Sequence, residues 1–292
     1  MPEGDVVFRT ANRLNEALQG DALRRAELRW GSLDGSGLVG HTTVEVVSRG
    51  KHLLHRVAGG WTIHSHLRME GSWRIWPASS RGRAADPAAH SHVRAVLAGD
   101  RWLCLGLRLG MLDLIRTAEE STCVGHLGPD LLGPDWDRDL ALHNLQADPT
   151  VPIGQALLDQ RLLAGIGTMY AAETLFLRRT FPWTHVGELT DTEVLTLIDT
   201  ARRLLQIGTT QAVQSTTGST RKGEELYVHA RSGRPCRRCG DTIRVAPIGV
   251  TGRERTMFSC PSCQGGLAPG DTGRRQRPLG SSGGRRTGLR PQ

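Results

Sequence analysis

At 292 residues the chain is long enough for two domains, each with a sizeable core, and its 38% hydrophobic and 4% aromatic content argues against wholesale disorder. With no apolar run near the ~20 residues of a membrane span and no signal-peptide pattern, it is read as a soluble, cytoplasmic monomer. A net charge of +8 and a pI near 9.8 favour a polyanionic partner, nucleic acid before membrane.

The first predicted element begins almost at residue 1. Val7, Ala11, Leu14 and Leu18 recur at helical spacing, and Asp5 just before them reads as the N-cap. Such a helix would tie down the terminus. Met1 precedes a small residue, so its removal is expected, leaving Pro2 with a free secondary amine beside the carboxyl of Glu3. An α-amino group titrates near ~8, against about 10.4 for lysine, and the positive end of a helix lowers it further. A neutral amine next to a carboxylic acid suits Schiff-base chemistry, although the same residues are also an ordinary way to start a helix.

Residues 39–76 read as strands, with Val44 and Val46, Trp61 and Ile63, and Trp73 and Ile75 alternating with polar neighbours. Residues 93–97 and 102–107 extend this all-β region, and residues 78–90 read as a loop. Only Lys51 and Lys222 are lysines, which leaves 37 − 2 = 35 arginines. A compact ammonium with a tunable pKa at those two positions is a chemical choice worth following. Residues 125–134, dense in Gly and Pro, mark an interdomain linker.

Beyond the linker the periodicity turns helical. A helix is expected from Gln155 to Leu163, then the Ala164-Gly165-Ile166-Gly167 turn, then a helix with Met169, Ala172, Leu175 and Phe176. A Gly-x-Gly turn before a helix can aim backbone N–H groups at a phosphate. Thr190 and Glu193 form a capping box for a third helix. Residues 211–223 read as a mobile loop.

Cys236-x-x-Cys239 and Cys260-x-x-Cys263, twenty residues apart, suit one tetrahedral Zn²⁺ on a β-hairpin. A site with four thiolates and no open position is structural. Arg253 and Arg255 on that hairpin are placed to meet a phosphate. Cys104 and Cys123 read as inert core thiols. From about residue 266 the chain is Gly-, Pro- and Arg-rich and is expected to be disordered and to cling to DNA without specificity.

Four of these segments together resemble the formamidopyrimidine-DNA glycosylase/endonuclease VIII family, on its endonuclease VIII branch. They are Pro2-Glu3-Gly4, Arg49-Gly50-Lys51 with Leu53-Leu54, the turn at 164–167, and the four-cysteine finger, in the family's order. The resemblance implies an α+β protein of two domains: an N-terminal β-sandwich with an N-terminal helix (residues 1–124), a linker (125–134), and a helix–two-turn–helix domain (135–222). A zinc finger (223–265) and an Arg-rich tail (266–292) would follow. It implies duplex DNA with oxidised bases or abasic sites as substrate, and a base-excision-repair enzyme that is both glycosylase and lyase.

On that resemblance Pro2 is the nucleophile and Glu3 the acid–base group, followed by β- and δ-elimination. Lys51 contacts phosphate near the lesion, and Glu173 is a supporting carboxylate of the active site. Within His66-Leu67-Arg68-Met69-Glu70-Gly71, His66 is a DNA contact and Met69 the wedge that fills the gap left by a flipped base. Arg255 takes the finger's phosphate contact, with Arg253 beside it, and Arg108 and Thr168 complete the DNA-binding set. Val6 stands where the family has an acid and Thr168 where it has an asparagine. Leu107-Arg108-Leu109 only faintly echoes an Arg-Arg-Phe triad, which favours oxidised pyrimidines. Two rival readings fit the same residues: an abasic-site lyase with little base excision, and a non-enzymatic zinc-finger DNA-binding protein.

Overall fold

A computed structural model describes residues 2–78, 87–274 and 276. Helix α1 spans Gly4–Leu18 and buries Val7, Ala11, Leu14 and Leu18, the predicted stripe. Its N-cap is Glu3 rather than Asp5, because the Glu3 carbonyl accepts from both Val6 and Val7 N–H at 3.1 Å. Asp5 is inside the first turn and faces inward.

Two four-stranded antiparallel sheets follow. One orders β1 (Arg25–Leu28), β6 (Val93–Ala98), β7 (Trp102–Leu107) and β5 (Ser72–Pro77); the other orders β2 (Thr43–Arg49), β3 (His52–Val57), β4 (Trp61–His66) and β8 (Met111–Arg116). Val46, Leu53, Ile63 and Leu112 of the second sheet meet Ala26, Trp73, Leu97 and Cys104 of the first, with α1 closing the same core. Strand β8 is not evident in the sequence, since Asp113 and Arg116 interrupt its apolar residues. Across the β3–β4 pair His52 stands opposite His66, and across β4–β8 His64 stands opposite Asp113. Alternation along the strands therefore gathers these four on one face, away from Leu53, Ile63 and Leu112.

Helix α2 (Glu120–Val124) leads into the linker, where the buried Asp130 carboxylate accepts from Gly50 N–H at 2.7 Å and Leu132 N–H at 3.1 Å. The linker is thereby clipped to the β2–β3 turn.

The C-terminal lobe contains α3 (Arg138–Gln146), α4 (Ile153–Ala156), α5 (Thr168–Leu177) and α6 (Asp191–Thr210), the last opened by the predicted capping box. The helix expected over 155–163 is cut short at Ala156. Asp159 folds back to accept the Arg161 N–H at 2.9 Å, which turns the chain before another helical turn can form. Strands β9 (Arg244–Ile248) and β10 (Arg255–Ser259) form the finger hairpin, followed by the one-turn α7 (Pro261–Gln264). Ile243, Ile248, Met257 and Phe258 of the finger share one core with Leu175, Phe176 and Leu204 of the helices, so the finger is continuous with that lobe.

Two expectations change at the C-terminal side. Residues 211–223 are cross-braced: Ser215 Oγ donates to the Ser219 carbonyl at 2.7 Å and Thr217 Oγ1 to the Glu224 carbonyl at 2.7 Å. Order also persists past residue 266. Asp271 pairs with the buried guanidinium of Arg244, and the Gln276 amide brackets Val245, accepting from its N–H at 2.9 Å and donating to its carbonyl at 3.0 Å. The rest of the Arg-rich tail, 277–292, is outside the described residues. Among the described residues no helix is long and apolar enough to cross a membrane.

Candidate active site

The amino terminus is built into the seam between the lobes. Gly4 N–H donates to the Gly165 carbonyl at 2.9 Å, and a Cβ on Gly4 would come within 3.0 Å of that oxygen, so the glycine permits the approach. Pro2 stays half-exposed beside it, while Glu3 is fully buried. The Glu3 carboxylate caps α5: Gly167 N–H donates to Oε2 at 2.7 Å, Met169 N–H to Oε1 at 2.8 Å, and Tyr170 N–H to Oε2 at 3.4 Å. The N–H groups expected to serve a phosphate thus hold the chain's own carboxylate. Gly167 is required here, because a Cβ would fall 2.6 Å from Glu3 Cδ. Thr168 opens α5 and is buried, and its N–H is not among the donors to Glu3.

Lys51 follows a turn in which Gly50 adopts φ +57. Its Nζ donates to the Ile166 carbonyl at 2.6 Å, one residue before the α5 cap. Burial pushes the lysine pKa down, the Glu3 charge opposes that, and Arg255 pushes it down further. For Glu3 burial is the largest influence and raises the pKa; Lys51 and the N–H groups of Met169 and Gly167 oppose it, and Asp5 reinforces it. A carboxylate accepting several N–H bonds is ordinarily acidic, but here loss of water outweighs them. The seam therefore carries a half-exposed Pro2, a Glu3 that retains a proton more readily than usual, and a cation between Glu3 and the finger's Arg255.

The remaining predicted residues divide into two groups. Met69 is 65% exposed in the turn after β4, and Arg108 is exposed in the turn after β7 with φ +46. Arg108 Nη1 reaches Glu70 at 3.4 Å, which joins the two turns into one rim. His66 Nδ1 accepts the Arg68 N–H at 2.9 Å, and its ring meets His52 edge-on at 4.9 Å. Burial, then Lys51, pushes His66 down to about 4. Arg253 and Arg255 are exposed on the finger hairpin.

Glu173 is not a helix-surface acid. It is fully buried and accepts from Thr216 Oγ1, Tyr227 N–H at 2.9 Å, and Val228 and His229 N–H at 2.8 Å each. It anchors the chain between α6 and the finger, so it acts as a positioning group.

Several residues of the site escaped sequence reasoning. His52 Nδ1 lies 2.8 Å from His64 Nε2, and His64 Nδ1 lies 3.2 Å from Asp113 Oδ2. With Asp113 accepting, His64 presents Nε2 as acceptor and His52 carries its proton on Nδ1. The i, i+2 spacing of His64 and His66 in a strand was the available signal. Asp5 and Tyr170 were also missed.

The four finger cysteines bring their sulfur atoms within 4.8 Å of one another. Four thiolates about 2.3 Å from a tetrahedral ion stand about 3.8 Å apart, so this donor set fits one metal ion.

Profile comparison matches residues 1–108 to the formamidopyrimidine-DNA glycosylase N-terminal domain and residues 127–221 to the formamidopyrimidine-DNA glycosylase H2TH domain. The chain belongs to the formamidopyrimidine-DNA glycosylase family. Within it, the chain is 47% identical over 292 residues to a probable endonuclease 8 2 of Streptomyces coelicolor, covering 100% of both chains. It is 43% identical over 267 residues to the DNA-(apurinic or apyrimidinic site) lyase Nei2 of Mycolicibacterium smegmatis, covering 90% of this chain and 99% of the relative. A Lactococcus lactis formamidopyrimidine-DNA glycosylase crystallised with abasic-site DNA superposes with a TM-score of 0.73 at 25% identity, over 90% of this chain and 100% of that one. The family fold, sheets followed by helices and a cysteine cluster, is the α+β architecture expected of the sequence.

Proposed function

We propose that this protein is a DNA glycosylase and abasic-site lyase of base-excision repair that works through an imine on Pro2. The observation that carries the reading is the seam: a half-exposed Pro2 joined to a buried Glu3 whose carboxylate is fixed by α5 and faced by Lys51.

In the reading, removal of Met1 frees the Pro2 imino nitrogen, whose lone pair attacks C1′ of the damaged nucleotide. The glycosidic bond breaks, and the base leaves with that electron pair and takes up a proton. Glu3, holding its proton more readily than an ordinary glutamic acid, supplies one to O4′ as the sugar ring opens and the iminium forms. It then receives the C2′ proton as the 3′ phosphate leaves; loss of a further sugar proton expels the 5′ phosphate. Water hydrolyses the imine and restores Pro2. Lys51 and Arg255 suit the neighbouring phosphates, and Met69 and Arg108 suit the gap in the stack.

The four thiolates suit one Zn²⁺, which would hold the finger closed and take no part in the reaction. Oxidised pyrimidines are the favoured bases, since Leu107-Arg108-Leu109 only faintly echoes the Arg-Arg-Phe triad of the purine-directed branch. The compartment is the bacterial cytoplasm, on nucleoid DNA.

The test is borohydride trapping of the processed protein on abasic-site duplex. A covalent adduct that disappears in Pro2→Ala is expected. An undiminished adduct in that variant would place the imine on another amine and overturn the role of Pro2, and none in the wild type would leave DNA binding alone. Duplexes carrying thymine glycol, dihydrouracil or 8-oxoguanine beside an abasic control then separate excision from bare lyase activity.

A further inference from the structure

Glu3 is not the only carboxylate buried at the seam. Asp5, two residues on, is also fully buried. Its Oδ2 accepts the Tyr170 hydroxyl at 2.9 Å, and the Gln214 side-chain amide donates to Oδ1 at 2.9 Å and Oδ2 at 3.2 Å. Tyr170 therefore touches both acids, giving its hydroxyl to Asp5 and its N–H to Glu3. The pairing is built into the packing of α6. A Cβ on Gly208 would fall 2.3 Å from Tyr170 Oη and 2.7 Å from Asp5 Oδ2, so only glycine lets that helix close over them.

Gln214 belongs to the braced chain between α6 and the finger, which Glu173 fastens through Thr216 two residues later. Asp5 thus joins three parts of the molecule: the helix that carries Pro2 and Glu3, the helix that Glu3 caps, and the 211–229 segment.

We propose that Asp5 is a positioning residue that, through Tyr170 and its own charge, helps keep the proton on Glu3, and that Gln214 ties this effect to the placement of the 211–229 segment. The inference rests on the reading of Glu3 as the acid–base group. An ionised Asp5 disfavours a second negative charge nearby, so it keeps the proton on Glu3. Lys51, across the β2–β3 turn, pulls the other way, with Arg255 beyond it and the α5 N–H groups on the same side of the balance. Asp5 itself is faced by Arg9 one turn along α1, by Tyr170 from α5 and by Gln214. Burial favours protonating Asp5, and the Tyr170 and Gln214 donors resist that. When the Gln214 amide withdraws, Asp5 takes up a proton more easily and its push on Glu3 fades. Movement of one surface segment is thereby read as a change in acidity at the reacting end.

The test is the pH profile of single-turnover strand cleavage at a preformed abasic site, with borohydride trapping run alongside. The limb belonging to Glu3 is the one abolished by Glu3→Gln. Asp5→Asn keeps the size and removes the charge, and should move that limb to lower pH by roughly one unit. Gln214→Leu removes only the donor and should move it the same way by less. A limb that stays at its wild-type position in folded Asp5→Asn, or in Gln214→Leu should Asp5→Asn fail to fold, overturns the inference, even where the rate falls uniformly at every pH. A wild type without an adduct would sink the functional reading and this inference together, whereas an intact adduct with an unmoved limb sinks the inference alone.

Discussion

The seam at Pro2–Glu3 and the rim at Met69–Arg108 are opposite solutions to holding a functional side chain. At the seam Glu3 is fully buried, bonded by three backbone N–H groups, and closed in by glycines at 4 and 167. At the rim Met69 is 65% exposed and the Arg108 guanidinium reaches a surface carboxylate at 3.4 Å. Chemistry that moves protons needs a geometry fixed before the substrate arrives. A side chain that follows a flipping base needs room to adjust, and the exposed Arg108–Glu70 ion pair contributes under ~1 kcal/mol to holding the rim still. The contrast predicts where substitutions are felt.

The most severe loss should come from beneath both regions. Chelation would withdraw any ion held by the four cysteines, and Cys260→Ser one of its ligands, from a finger that shares its core with α5; either should abolish DNA binding and lower the melting temperature. Filter binding and thermal unfolding read this directly, and undiminished affinity after complete metal loss would contradict it. Next, Glu3→Gln keeps the shape of the cap and removes the titrating group. Excision and cleavage should fall by about 10²–10⁴-fold with DNA affinity nearly unchanged, measured by single-turnover kinetics against binding.

Gly167→Ala tests the packing at the seam rather than its charge. The new Cβ must displace Glu3 Cδ, which it would approach to 2.6 Å, and a shift of that kind should cost on the order of 10²-fold in rate. Lys51→Met probes the electrostatics. Lys51 lowers the proton affinity of Glu3, so its loss should move the Glu3 limb of the pH profile upward, opposite to Asp5→Asn. A downward shift would reverse the assigned sign. The mildest change belongs to the rim: Met69→Ala should slow excision of a base by only about tenfold or less while leaving cleavage at a preformed abasic site intact. Equal losses on both substrates would place Met69 in the chemistry.

Legibility followed the range of the interactions. The helix stripe from Val7 to Leu18, the Thr190 capping box and the cysteine spacing are set within a few residues, and all three stand as expected. Asp5 was misassigned because a local capping rule saw an acid before an apolar run. Its actual partners, Tyr170 and Gln214, are 165 and 209 residues away. The Gly-x-Gly turn was recognised as a place where N–H groups point outward, but no local pattern reveals that Glu3, 164 residues earlier, fills it. Nothing in the sequence around Glu173 reveals its burial, which the fold of 216–229 around it explains. The run from 155 to 163 is apolar enough for a helix, and a single Asp159 turn overrides that composition.

The clip at Asp130 has a mechanical corollary. Its carboxylate ties the segment joining the lobes to Gly50, the neighbour of Lys51, so hinge and lysine travel as one lever. Any rocking of one lobe against the other must either carry that ammonium along or break the Gly50 N–H bond to a buried acid. The position of Lys51 and the angle of the lobes are mechanically geared.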